Sequence, residues 1–397
     1  MKKTFCLIVC FYALIIFQSK SQELFTGDQL MNNISLLDVR NNQLYEVRPD
    51  SGKLILIDFW ATWCAPCVAS MPHLELLQEE FKEDLFIIPV SVEDVERVNK
   101  FIAKKTYNLK FSIDPENELR SLFPFRIIPH AVLIDQYGEV LAITDPKHVT
   151  TELISNYLNG EKIQLSTKKD RVEFDLVKDD LFELPSNVIQ SFIVLGEFEG
   201  LPSFQKGASV GEYQNRRVSF INQSIRGMYQ YVYNKGWRRF QIMDKDTRML
   251  EDDIYSVDLV IENPNEQELK ATLMMNLKEQ FGLEIDTIHV ESEIVLLYIE
   301  DENRLPEKSN QSSPYQASGD YFKSKGASLA DFAGYLEQFG VIGAIVVSDF
   351  QEDVFFEIDF QFEPENPDSF WESLRNIGLN LKKERRGVDF IKISVLD

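Results

Sequence analysis

Residues 54–72 read LILIDFWATWCAPCVASMP. From Leu54 to Trp60 the stretch is apolar except for Asp58, which is the pattern of a strand buried on both faces. From Cys64 onward, CAPCVASMPHLELLQEEF reads as a helix, so Cys64 and Cys67 fall where a strand turns into a helix. A lone CxxC pair admits three readings: a redox centre, part of a metal site, or two inert buried thiols. The rest of the chain has to choose among them.

The chain has 397 residues, 44% of them hydrophobic, which suits two or three cores rather than one. It opens with Lys2 and Lys3, runs apolar from Phe5 to Phe17 and turns polar at QSKSQ. Those are the three parts of a secretory signal peptide, so residues 1–21 are expected to be a cleaved leader. An N-terminal membrane anchor is the competing reading, but the apolar run is short against the roughly 20 residues that a span needs. Loss of Lys2, Lys3 and Lys20 makes the formal charge of −23 more negative still, and loss of Cys6 and Cys10 leaves Cys64 and Cys67 as the only thiols. So acidic a chain lacks the basic face that nucleic acid or an anionic membrane demands, and no nucleic acid partner is expected. One close cysteine pair is not a disulfide framework either.

Residues 24–160 alternate strand and helix patterns, as an α/β domain with a mixed central sheet should. After the quoted stretch come a second buried strand, LFIIPVSVE, a helix in VERVNKFIAKKTY, a short strand and helix in FSIDPENELRSLF, a hairpin in AVLIDQYGEVLAI with Gly138 in its turn, and a closing helix, TTELISNYLNG. Residues 161–186 are polar and charged and read as a linker. Residues 187–397 read as an α+β domain with an internal duplication, about 216–299 and 325–395. In the first copy Ile225, Met228, Tyr229, Val232 and Tyr233 mark a helix face and Tyr255, Val257, Leu259 and Ile261 alternate as a strand; in the second, Leu329, Phe332, Ala333 and Leu336 precede Phe356, Ile358, Phe360 and Phe362. Each copy then ends a second helix in a similar way, FGLEI and IGLNL, with a hairpin expected after it.

A zinc site needs four ligands, and the mature chain offers no second cysteine pair, while His73, His130, His148 and His289 are scattered. No metal and no cofactor beyond a redox-active Cys64–Cys67 disulfide is expected. In the redox reading Cys64 faces the unsatisfied N–H groups at a helix start, which favours its thiolate, the attacking form. Cys67, one turn later and inward, resolves the mixed disulfide. Pro66 lies in the first helical turn, where its missing N–H costs nothing. Asp58, held in the preceding strand, is expected to have a raised pKa and to exchange a proton with Cys67. The peroxiredoxin arrangement, a Thr or Ser three residues before the cysteine, is absent because Ala61 stands there.

These residues reach a family. IDFWATWCAPC resembles the thioredoxin active site, and the continuation from VSVEDVERVNKF to PHAVLIDQYGEV resembles the TlpA/ResA-like thiol-disulfide oxidoreductases over residues 24–160. The resemblance implies a thioredoxin fold with helices on both faces of the sheet. It also implies a cis-proline at Pro129, a substrate-contacting set of Trp63, Ile128 and Pro129, and a helix kink at Pro72. His130 stands where the family usually has Thr, and it either faces the site or begins the next strand. The family's buried acid often has a lysine near it, but none is evident in LFIIPVSVE, which leaves Asp58 with less charge relief. Ala65 and Pro66 put no polar group between the cysteines, so the pair is expected to act as a reductant. The resemblance then implies disulfide-containing proteins of the periplasm or cell envelope as substrates and a membrane electron donor of the DsbD/CcdA type.

The C-terminal part resembles a soil-bacterial domain family found joined to TlpA-like domains, on stretches such as FINQSIRGMYQYVY and ASLADFAGYLEQFG. Its repeat also resembles the small N-terminal domain of secretins and TonB-linked receptors, which implies a protein-binding module. Two functions therefore stand side by side: a disulfide reductase whose C-terminal module recognises partners, and an envelope binding or signalling protein whose dithiol only senses redox state.

Overall fold

The computed structural model describes residues 23–49, 51–185, 187–207, 212–243, 248–339, 342–350, 353–364 and 366–396, and the expected leader lies outside them. Among the described residues no helix is long and apolar enough to cross a membrane. The first unit is built from β1 (Ile34–Asp38), β2 (Gln43–Val47), β3 (Leu54–Trp60), α1 (Ala65–Glu80), β4 (Leu85–Ser91), α2 (Val95–Ile102), β5 (Ser112–Ile113), α3 (Glu118–Leu122), β6 (His130–Ile134), β7 (Val140–Thr144) and α4 (Thr151–Leu158). They form one mixed sheet of order β2-β1-β5-β4-β3-β6-β7. Strand β3 lies at its heart, parallel to β4 and antiparallel to β6, with all seven residues buried.

Alternation along β3 divides the core. Leu54, Leu56 and Trp60 face α1, α2 and α4 and pack with Met71, Leu74, Leu77, Val98, Phe101 and Ile154, while Ile55, Ile57 and Phe59 face the other way, toward Leu119 and Phe123. Each fully buried side chain of this size contributes about 1.5–3 kcal/mol. The same alternation puts Asp58 on the α1 face. Gly138, at φ 92°, makes the tight turn expected between β6 and β7, where a Cβ would strike the Leu30 carbonyl.

The C-terminal part contains β8 (Ser191–Leu195), β9 (Phe204–Gly207), β10 (Arg217–Ser224), α5 (Ile225–Tyr233), β11 (Phe240–Ile242), α6 (Arg248–Glu251), β12 (Ile254–Val260), α7 (Glu266–Phe281) and β13 (Leu283–Ile299). It continues with β14 (Lys308–Ser309), β15 (Tyr315–Ser318), β16 (Tyr321–Ser328), α8 (Leu329–Phe339), β17 (Val346–Ser348), β18 (Phe355–Gln361), α9 (Pro367–Asn376) and β19 (Leu379–Val395). Two four-stranded sheets have equivalent orders, β8-β12-β10-β9 and β14-β18-β16-β15. Even the irregularity recurs: the register slips between Phe220 and Gln223 in β10 and between Ser324 and Ala327 in β16.

The expected hairpin after each second helix is replaced by one 17-residue strand, and β13 and β19 pair with each other along their whole length, from Leu283↔Val395 to Ile299↔Leu379. Their polar centres, around His289 and Lys383, imitate turn composition because they lie where the ribbon passes outside both cores. Strand β11 of the first copy runs parallel to β19, and β17 of the second runs parallel to β13. Each copy thus completes its core with a strand supplied by the other.

The polar segment after Gly160 carries no helix or strand, yet it is not a slack tether. Phe174, Leu181 and Phe182 pack with Phe198, Leu201 and Ile221 beneath the first repeat. Upstream, the Asp170 carboxylate accepts the N–H groups of Arg126 and Ile127 at 2.7 and 2.8 Å, and the Lys168 ammonium donates to the Ile127 carbonyl. Arg126 in turn donates to the carbonyls of Arg171, Val172 and Phe174. This strap fixes the loop that leads into Pro129. Asp170→Ala leaves two buried N–H groups without their charged acceptor, a loss of about 1.5–3 kcal/mol per bond at the upper end. Hydrogen exchange of the full-length variant should show faster exchange at Arg126 and Ile127 with β3 unchanged; equal protection in both proteins would mean that the strap does not brace the loop.

Candidate functional site

The last residue of β3 and the first turn of α1 create the site. Cys64 is the N-cap residue of α1, extended at φ −84° and ψ 94°, and its Sγ accepts the Cys67 N–H at 3.3 Å. A sulfur there receives one of the otherwise unsatisfied donors of the helix start and the positive end of the helix dipole. Cys67 is one turn further along, wholly enclosed, and the two are joined as a disulfide with Cα atoms 5.3 Å apart. Pro66 occupies the first turn, and Pro72 lies inside α1, where it removes the helical donor to the Val68 carbonyl.

Asp58 is fully buried, and neither carboxylate oxygen has a hydrogen-bond partner among the described residues. Burial, with a smaller push from the charge of Asp145, holds its pKa well above the ordinary carboxylate range. The residue beside it on β4 is Pro89 and the one beside it on β6 is Ala131, so neither neighbouring strand offers a cation. Asp58 shares its side of the sheet with the cluster that contains Cys64 and Cys67.

Ile128–Pro129 is a cis peptide, as the family resemblance implies, and both residues are half-buried. Trp63 is 47% exposed, the large apolar surface beside Cys64. Among the described residues no hydrogen bond engages the Ile128 backbone, although its neighbour Ile127 is held at both ends by the strap. That leaves Ile128 as the free edge against which an extended chain can pair. His130 begins β6 opposite Phe59, on the sheet face away from α1, and stacks on Phe125. Burial, aided by the charge of Lys168, pulls its pKa down to about 3. It is thus a neutral residue of the core on the face away from the dithiol.

Residues that the sequence reading missed hold the loop before Cys64. The Glu93 carboxylate accepts the Thr62 N–H at 2.6 Å and its hydroxyl at 2.8 Å, and Arg97 contacts both Glu93 and the Thr62 hydroxyl. No spacing rule points to Glu93 or to Asp170, because each reaches the site from a distant part of the chain. Among the described residues no three His, Cys, Asp or Glu side chains gather as a metal centre. What the arrangement can do is exchange a dithiol with a disulfide, with Cys64, 4% exposed beside the open Trp63, the more accessible of the pair and Cys67 and Asp58 fully enclosed.

Residues 28–143 match the AhpC/TSA family. The thiol-disulfide oxidoreductase ResA of Halalkalibacterium halodurans is 30% identical over 119 residues, 30% of this chain and 66% of that protein. ResA of Oceanobacillus iheyensis is 35% identical over 112 residues, 27% of this chain and 57% of that protein. The chain thus spans less than two thirds of the length of either. A solved thiol:disulfide interchange protein from Bacteroides sp. is 22% identical, with 35% of this chain aligned to 93% of that one at a TM-score of 0.30. The N-terminal segment of this chain is a thioredoxin-like domain of the AhpC/TSA kind with thiol-disulfide oxidoreductases of the ResA type among its relatives.

Proposed function

We propose that this protein is an exported thiol-disulfide oxidoreductase of the cell envelope that reduces protein disulfides with the Cys64–Cys67 dithiol. The observation that carries the reading is the polarity of the pair: Cys64 caps α1 beside exposed Trp63, and Cys67, one turn on, is fully enclosed on the side of the sheet that the buried Asp58 shares. The Cys64 thiolate attacks one sulfur of the substrate disulfide; that S–S bond breaks, and the leaving thiolate takes a proton from solvent. Asp58 in its ionised form then takes the Cys67 proton; the Cys67 thiolate attacks Cys64 Sγ, the mixed disulfide breaks, the second substrate sulfur leaves as a thiolate that takes the proton back from Asp58, and the Cys64–Cys67 bond forms. Two electrons pass to the substrate. A dithiol donor of the DsbD/CcdA type returns them, and the C-terminal repeats select the partner. A raised Asp58 pKa suits this step, because it brings the acid toward the thiol range and lowers the cost of the transfer.

Cys67→Ala should accumulate mixed disulfides between Cys64 and envelope proteins, and Cys64→Ser should accumulate none. Equal yields from the two variants would assign the wrong nucleophile.

Asp58→Asn separates chemistry from stability. In the folded protein Asp58 keeps its proton at pH values where the unfolded chain has released it, so its contribution is complete below the unfolded pKa, about 4, and is lost as pH rises through the folded value. Denaturation midpoints of oxidised wild type should therefore fall relative to Asp58→Asn as pH rises from about 4 toward 9, while mixed-disulfide resolution slows in the variant. A constant difference in midpoint across that range would show that Asp58 titrates as it does in the unfolded chain.

A further inference from the structure

The second repeat reaches the dithiol site. Strands β15 and β16 are joined by the two-residue turn Gly319–Asp320, and an ideal Cβ at Gly319 would lie 3.8 Å from the Trp63 Cβ. Asp320 accepts from Arg97 at 2.7 Å in an ion pair whose side chains are only 18% and 10% exposed. Arg97 is the residue that grips Glu93 and Thr62, so the turn is bonded to the loop carrying Cys64. The Asp320 carbonyl also accepts the Phe362 N–H, which ties the turn to the end of β18, and the next residue, Glu363, meets Lys100 on α2 at 3.0 Å. Turn and strand end form one acidic edge seated on two cations of α2.

We propose that this turn is the second wall of the dithiol site, and that Gly319 and Asp320 set substrate size. The Trp63–Gly319 contact puts the wall on the Trp63 side of Cys64, away from the side that the proposed function gives to Ile128 and Pro129. With Cys64 only 4% exposed behind this wall, a slender, extended segment carrying a disulfide has the easier approach, and the flat face of a folded globular protein is held off. The substrate class that follows is the unfolded or loop-borne disulfide. Gly319 keeps the wall thin, because a Cβ there already reaches van der Waals distance of the Trp63 Cβ and a larger side chain adds bulk beside it. The ionic seat makes the wall displaceable by charge reversal, since both acids belong to the C-terminal part and neither takes part in the thiol chemistry.

This inference rests on Cys64 being the attacking thiol, and one experiment tests the two apart. In full-length protein carrying Cys6→Ser, Cys10→Ser and Cys67→Ala, Cys64 is the sole thiol. Its alkylation is followed with N-ethylmaleimide and with a maleimide carried on a long polyethylene glycol chain. The ratio of bulky to small rates should rise several-fold when Asp320→Lys and Glu363→Lys are combined, and should fall below the starting ratio in Gly319→Leu. The opposite signs guard against misfolding, which would raise the ratio in both. A ratio unmoved in both variants would overturn the wall and leave the thiol assignment intact. Alkylation by N-ethylmaleimide no faster than that of free cysteine at neutral pH would overturn the thiol assignment itself.

Discussion

The structure depends on one junction, the passage from β3 into α1. A strand buried on both faces cannot expose a side chain until it leaves the sheet, and a helix cannot satisfy its first N–H groups from within. Cys64 stands where both constraints meet, just past the end of β3 and at the helix start. Asp58 follows from the same geometry, because strand alternation forces it to face α1 once Leu56 and Trp60 do. The reactivity of the pair is thus a property of backbone placement, to which Ala65 and Pro66 add no charge.

Around that junction the protein invests in holding loops still. Thr62 is pinned by Glu93, and the segment before Pro129 is pinned by Asp170 and Lys168. The second of these comes from beyond the α/β unit, in a stretch whose composition suggests a tether. The backbone that leads into Ile128 is therefore held by residues outside the part that matches the AhpC/TSA family. The Arg97–Asp320 pair extends the same dependence to the second repeat.

What was legible in the sequence was local. The Leu54–Trp60 apolar run, the CxxC spacing, Pro72 and Gly138 each express a constraint within a few residues, and each appears where the pattern puts it, while the cis bond before Pro129 follows the family resemblance. The helix faces of the two repeats were legible for the same reason: Ile225 with Met228 and Leu329 with Phe332 keep helical spacing whatever surrounds them. The long β13–β19 ribbon was not legible, because its exposed middle carries no burial pattern to mark it as strand. Nor were the bonds of Asp170 and Asp320 to the site, which join positions far apart in the chain and leave no periodicity behind.

The central claim is that fold placement makes Cys64, and not Cys67, the thiol that ionises readily. The direct test is a pH titration of reduced full-length protein lacking Cys6 and Cys10, following thiolate absorbance in that protein and in its Cys64→Ser and Cys67→Ala forms. The account predicts that the thiolate of the Cys67→Ala form appears below the free-cysteine value of about 8.5, and that of the Cys64→Ser form above it. The reverse order, or two thiols that both ionise at the free value, would contradict it.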